Sequence, residues 1–220
     1  MARIDLYRNV HKGQRAHLFG LAVELGRADQ EDAETIGTLA RRLRATLAEL
    51  RRHADNEERF IHPLLRARAP KVAAMLEREH EELEPALAEV EAMLEGFDSA
   101  PGNRFAAAPE LYRAWCRMLS SYLAHIDAEE RLGMPALWNT CTDDEILAVI
   151  RAFVASRTAT EQLDDLRSQA PALSPQERSA LVASVMKGGA PAEAVWAGLA
   201  AVLPSHDLAR LRADVGIGVG

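Results

Sequence analysis

Two segments of the chain carry the same pattern of histidine and glutamate. HADNEERFIHPLL runs from His53 to Leu65, and HIDAEERLGMPAL runs from His125 to Leu137. Both read His-x3-Glu-Glu-Arg, and both continue with Pro and Leu at matching positions. A histidine and a glutamate four residues apart lie on one face of a helix, where imidazole and carboxylate can bind the same metal ion. The repeat therefore predicts a metal site built from two helices.

The first glutamate of each segment shares a helix face with leucines rather than lying opposite them. A buried, ionised glutamate without a positive partner costs several kcal/mol. Neutral histidines supply no positive charge, and no lysine or arginine falls in phase nearby, whereas a metal cluster would supply it. The two inward stripes are Leu39, Leu43, Thr46 or Leu47, Leu50, His53, Glu57, Ile61 and Leu64, and Leu111, Trp115, Met118, Tyr122, His125, Glu129, Leu132 and Ala136.

Two other helical patterns place one histidine each in an apolar stripe. His80 falls among Leu76, Leu83, Leu87, Val90 and Leu94, and His11 falls among Ile4, Tyr7, Gln14, Leu18, Leu21 and Leu25. We therefore predict that His11 and His80 join His53, Glu57, His125 and Glu129 as metal ligands. The remaining histidines, His17, His62 and His206, fall out of phase and are interpreted as surface or structural residues.

The composition predicts an all-α protein. Ala, Leu, Glu and Arg dominate, and no run alternates apolar and polar residues as a strand would. Four long helices that can position the six candidate ligands are predicted at about 4–25, 32–63, 70–95 and 109–133, with breakers at Gly26, Pro63, Gly96 and Gly133 to Pro135. Pro63 and Pro135 are expected to end or kink their helices, and Pro85 to kink the third.

The expected architecture is an up-down-up-down four-helix bundle over residues 1–140, followed by shorter helices over 141–220. A loop is expected at 97–108 and a loose end at 216–220. Ser174 to Glu177 matches a capping box. The C-terminal extension is expected to pack on the bundle or to serve association, with a homodimer as one outcome.

Charge and hydropathy exclude several classes of function. The net charge is −7 and no basic tail is present, so a nucleic-acid partner is not expected. No segment approaches the ~20 apolar residues of a membrane span, and the N-terminus lacks the apolar core of a signal peptide. Two cysteines form no disulfide framework. These features predict a soluble, cytoplasmic protein without a membrane partner.

The order of these residues resembles the hemerythrin-like HHE cation-binding family over about residues 1–140. The resemblance rests on His11, His53-x3-Glu57, Glu79-His80-x2-Leu83 and His125-x3-Glu129. Ferritin-like bundles instead use Glu-x-x-His on two helices, which occurs once here, at Glu77 and His80. The resemblance implies two iron ions with an oxo or hydroxo bridge and two bridging glutamates. His11 and His53 would bind one iron, and His80 and His125 the other.

The chain departs from the respiratory hemerythrins at two positions. Their third helix offers His-x3-His, whereas the residues four away from His80 are Leu76 and Glu84, and their last motif is His-x4-Asp. One histidine ligand is missing, so Glu84 or water would complete the site. Sensor-type relatives, including the iron-responsive F-box proteins of animals, resemble this ligand set more closely. Glu58 and Glu130 are either outer residues that orient imidazoles or solvated carboxylates.

Three functions remain open from the sequence. The favoured one is a di-iron module that binds or senses oxygen or another diatomic ligand, redox state or iron. The second is an enzyme with ferroxidase, peroxide-consuming or oxygen-activating activity, in which Tyr7 and Tyr122 are redox partners or core aromatics. The third is a bundle stabilised by metal. Zinc and manganese suit the same ligands. Metal is expected to leave below about pH 6, where imidazole gains protons.

Overall fold

Helices account for the regular secondary structure of the residues described by the computed structural model, 3–29, 31–99 and 104–216. No strand occurs in those ranges, which confirms the all-α prediction there. A 3₁₀ turn covers Ala170–Ala172, and π-helical turns cover Glu57–Ile61 and Glu129–Gly133. The α-helices are α1 (Arg8–Arg27), α2 (Ala33–Asn56), α3 (His62–Arg68), α4 (Pro70–Ser99), α5 (Arg104–Ala128), α6 (Met134–Thr140), α7 (Asp143–Ala155), α8 (Ala159–Gln169), α9 (Pro175–Lys187), α10 (Ala192–Ala200) and α11 (Ser205–Asp214).

Several predicted helix ends are wrong. α4 passes through the predicted stop at Gly96 to Ser99, and α5 begins before Pro109. Pro85 lies inside α4, and its predicted kink stays a prediction. One glycine costs a helix only about 1 kcal/mol and one proline about 3 kcal/mol, which long packed helices can tolerate. Residues 100–103 of the predicted loop and residues 217–220 of the predicted loose end lie outside the described residues.

The two prolines of the repeated segments do not end their helices. α3 continues past Pro63 to Arg68, and α6 continues past Pro135 to Thr140. Each proline lies in the first turn after a π-helical turn, where a missing N–H is best tolerated. The N–H of His62 reaches back five residues to the carbonyl of Glu57, and that of Met134 reaches back to Glu129. Each π-helical turn thus accommodates one extra residue.

The chain forms two compact units, and unit 1 consists of Met1–Asp5 and Leu18–Val149. Its core is mainly leucine, drawn from α1, α2, α4 and α5, with Trp115 and Met118 fully buried among them. α4 packs against α5 and α2. At the N-terminus, Arg3 pairs with Asp143. The indole N–H of Trp138 donates to the carbonyl of Ile4 over 2.7 Å.

Unit 2 consists of Leu6–His17 and Ile150–Gly220. Its core contains Leu166, Val182, Val195, Trp196 and Leu199 from short helices, as expected of the C-terminal region.

Capping boxes begin two of the helices of unit 2. Thr158 and Glu161 cap α8, and Ser174 and Glu177 cap α9, so the predicted capping box at Ser174 is confirmed. No helix among the described residues is long and apolar enough to cross a membrane.

Candidate metal centre

The two glutamates of the repeat occupy equivalent positions in the fold. Glu57 is the first residue of one π-helical turn, and Glu129 is the first residue of the other. Only 2% of Glu57 and none of Glu129 is exposed. Helical periodicity therefore predicted the inward direction of both carboxylates correctly. Because π-helical turns inside α-helices are frequent at functional sites, their coincidence with the repeat indicates a site here.

The carboxylate of Glu57 faces two imidazoles, one with each oxygen. Its Oε1 lies 3.0 Å from Nε2 of His53, and its Oε2 lies 3.4 Å from Nε2 of His80. The side chains of His53 and His80 are 12% and 13% exposed, so both lie mostly inside unit 1. A carboxylate placed between two imidazoles in this way is suited to bridging two metal ions.

Glu129, in the other repeated segment, lies near two imidazoles through one of its carboxylate oxygens. Its Oε1 lies 3.4 Å from Nε2 of His125 and 4.0 Å from Nε2 of His80. One ligand atom from each of Glu57, His80, His125 and Glu129 lies within 4.8 Å of the other three. Four of the six predicted ligands therefore converge in one group, and His53 adjoins it through Glu57.

An outer carboxylate contacts the Nδ1 edge of one of these imidazoles. Nδ1 of His125 lies 2.9 Å from Oε2 of Glu79, whereas Nδ1 of His80 lies 3.6 Å from Oε1 of Glu58, beyond hydrogen-bond distance. A carboxylate on Nδ1 fixes the imidazole tautomer that leaves Nε2 available to a metal. Sequence reasoning left this role open for Glu58, whose Oε1 instead lies 2.9 Å from Nδ1 of His62, and missed it for Glu79. The signal available for Glu79 was its place beside His80 in the Glu-His pair of α4.

His62 was interpreted as a surface or structural residue, and the surface alternative is wrong. The residue is fully buried, and its ring stacks on His80 with 5.4 Å between centroids. Nδ1 of His62 lies 2.9 Å from Oε1 of Glu58. The prediction assumed an unbroken α-helix from His53, whereas the intervening π-helical turn takes up one residue and rotates the residues after it about the helix axis.

The charges of the centre fit a cation. Burial lowers the pKa of His125, but Glu129 and Glu79 more than offset it and raise that pKa to about 9. The pKa of His80 is also raised, because the nearby Glu57 outweighs the effect of burial. Without another cation, the two buried carboxylates thus draw protons onto the imidazoles. A donor set of histidine nitrogens and carboxylate oxygens suits iron, manganese and zinc, which would replace those protons.

The remaining candidate ligands are His11 and Glu84. His11 lies on α1 in the part that belongs to unit 2, where it is fully buried and stacks on Tyr7 with 5.3 Å between centroids. Its role as a ligand stays a prediction. Glu84, the suggested substitute for the missing histidine, is directed to Arg51, with 2.8 Å between its Oε1 and an arginine nitrogen.

Residues 2–137 match the family model described as the hemerythrin HHE cation binding domain. The match spans more than half of the chain and includes both repeated segments. Comparison with curated proteins and with solved structures gave no match. The family match and the convergence of histidines and glutamates agree on cation binding.

Proposed function

The chain belongs to the hemerythrin HHE cation-binding family, and on that basis we propose that it is a non-haem di-iron protein that binds or senses a small ligand, redox state or iron. The observation that carries the proposal is the geometry of Glu57, which turns one oxygen to His53 and the other to His80. A carboxylate that offers one oxygen toward each of two imidazoles can serve two ions at once, as the glutamates of di-iron helix bundles do.

Each residue has a role in this proposal. Glu57 and Glu129 would be shared by the two ions and would neutralise part of their charge. His53, with His11 from α1, would hold one ion, and His80 with His125 would hold the other. Glu79 would orient His125 through its Nδ1. Two iron ions held by these residues would supply one-electron redox chemistry and would bind a small ligand.

The wider fold supports the same proposal. We propose that the four long helical segments of residues 1–140 form an up-down-up-down bundle, in which the π-helical turns set the level of both glutamates. The core formed jointly by α1, α2, α4 and α5 supports that arrangement. Residues 141–220 would then serve as a helical extension, for which association into a homodimer is a candidate use.

Iron stoichiometry tests the proposal directly. The full chain, loaded with ferrous iron and exposed to air, should retain about two iron ions and show absorption from a bridged ferric pair. Glu57→Ala should reduce the iron content to one ion or fewer, because both imidazoles lose their shared carboxylate. Glu49→Ala is the matched control, since Glu49 is exposed on α2, the helix that leads directly into Glu57. A wild-type chain that holds one ion, or equal iron in the two variants, would contradict the di-iron assignment.

A further inference from the structure

A small cavity lies beside the candidate metal centre in unit 1. It has a volume of about 40 Å³, and its lining includes His53, Glu57, His80 and His125. A cavity needs roughly 10–15 Å³ to hold one water, and drug-sized ligands need roughly 300 Å³ or more. The cavity therefore admits only molecules of a few heavy atoms. Leu50, Leu83, Leu87 and Tyr122 complete most of its remaining wall.

Two charged residues outside the ligand set also line this cavity, Arg51 and Glu84. Their side chains are 30% and 53% exposed, whereas the candidate ligands that line the cavity are at most 13% exposed. Arg51 and Glu84 thus mark the side of the cavity that faces solvent. A ligand that enters from this side passes the two charges before it reaches the imidazoles.

Arg51 is held by two carboxylates. Its Nε and one terminal nitrogen donate to Glu84 over 2.8–3.2 Å, and its other terminal nitrogen lies 2.9 Å from Glu91. Glu91 does not line the cavity, but its carboxylate lies against Arg51, so the cluster of Arg51, Glu84 and Glu91 has a net charge of −1. Charges that line a cleft repel small ions of the same sign and leave neutral molecules unaffected.

We propose that Arg51 and Glu84 form the entrance to the metal centre and that, together with Glu91 beside Arg51, they select small uncharged ligands over small anions. The inference rests on the proposed function, because it assumes that the adjoining centre holds metal. It assigns Glu84 a role in specificity in place of metal coordination. The ligands that fit are neutral molecules of two or three heavy atoms, such as dioxygen, nitric oxide or hydrogen peroxide.

The association rates of two probes test this selection. Azide carries a negative charge and nitric oxide carries none, and each can be followed by the change in absorbance of the iron-loaded full chain. In Glu84→Gln the entrance loses one negative charge, so azide should associate about three to ten times faster at low ionic strength, and salt should reduce the gain. The nitric oxide rate should stay within about twofold of wild type. Arg51→Gln should slow azide, because two carboxylates remain.

Glu89→Gln provides the matched control. Glu89 lies on the same helix as Glu84 and also pairs with an arginine, Arg117, but it does not line the cavity. Glu89→Gln should leave the association rates of azide and nitric oxide unchanged. Thermal unfolding followed by circular dichroism verifies that each variant folds. Equal acceleration of both probes in Glu84→Gln, or an equal azide gain in the control, would overturn charge selection. A wild-type chain that takes up no metal would remove the proposed function together with this inference, whereas a loaded chain whose azide rate ignores these charges would remove this inference alone.

Discussion

Glu79 contacts the Nδ1 edge of the His125 ring, on the side away from the candidate metal centre. The 2.9 Å contact between its Oε2 and Nδ1 of His125 fixes both the ring and its tautomer. We expect Glu79→Gln to weaken metal binding about 10- to 100-fold, as is typical for such outer carboxylates. Competition with a chelator of known affinity measures the change. Glu82→Gln, an exposed position on the same helix, is the control, and equal affinities in the two variants would exclude the positioning role.

The pKa of His125 predicts how the metal-free protein responds to pH. Because its folded pKa is raised from 6.5 to about 9, protonated His125 stabilises the fold below pH 6.5, and that contribution is lost as pH rises through about 9. We expect metal-free protein to lose on the order of 3 kcal/mol over this range. Urea unfolding at a series of pH values measures the loss.

His125→Gln should flatten this pH profile, whereas His206→Gln, at an exposed histidine, should keep it. A wild-type profile that is level from pH 6.5 to 9 would contradict the prediction.

The raised pKa of His125 also changes the pH at which we expect the metal-loaded protein to lose its metal. Protons compete with the metal well above pH 6, so metal affinity should rise with pH until about 9.

At the level of helices, the π-helical turn before α3 determines which leucine is buried. Leu65 is fully buried, whereas the neighbouring Leu64, which α-helical periodicity selects, is only half-buried. We expect Leu65→Ala to lower the free energy of unfolding by about 2–5 kcal/mol, and Leu64→Ala to lower it by less than about 1.5 kcal/mol. Denaturant titration measures both. Equal losses would mean that the helix continues in simple α-helical register.

The second repeated segment shows why part of the centre could be predicted from sequence and part could not. Trp115, Met118, Tyr122, His125 and Glu129 follow α-helical spacing, and all are buried as predicted. Beyond Glu129 the prediction is wrong, because Leu132 is 47% exposed while Leu137 is fully buried. Helical periodicity assumes 3.6 residues per turn, and no single residue type marks a π-helical turn. The burial of His62 was missed for the same physical reason.

At the scale of the whole molecule, the two units are not consecutive along the chain. Residues 6–17 at the start of α1 group with the C-terminal helices, although α1 itself continues into unit 1. Nζ of Lys12 lies 2.7 Å from Glu177, and the lysine lowers the pKa of that glutamate to about 2. Residue pairs separated by more than 150 positions, such as Lys12 and Glu177, leave no local pattern in the sequence. The sequence therefore indicated only a single division of the chain, near residue 140.

Because Gly13 has no side chain, α1 can approach the end of α8 closely at this position. A substitution there therefore tests the grouping of residues 6–17 with the C-terminal helices. A Cβ at Gly13 would lie 3.1 Å from the carbonyl oxygen of Ser168 and 3.2 Å from Cα of Gln169, whereas one at Gly20 of the same helix would meet nothing within 4 Å. Gly20→Ala should therefore raise the free energy of unfolding by about 0.5–1 kcal/mol through helix propensity. Gly13→Ala should lower it by roughly 1–2 kcal/mol, because backbone must move. Amide exchange at residues 6–17 should accelerate in Gly13→Ala alone, and equal stabilisation by both substitutions would contradict the close packing.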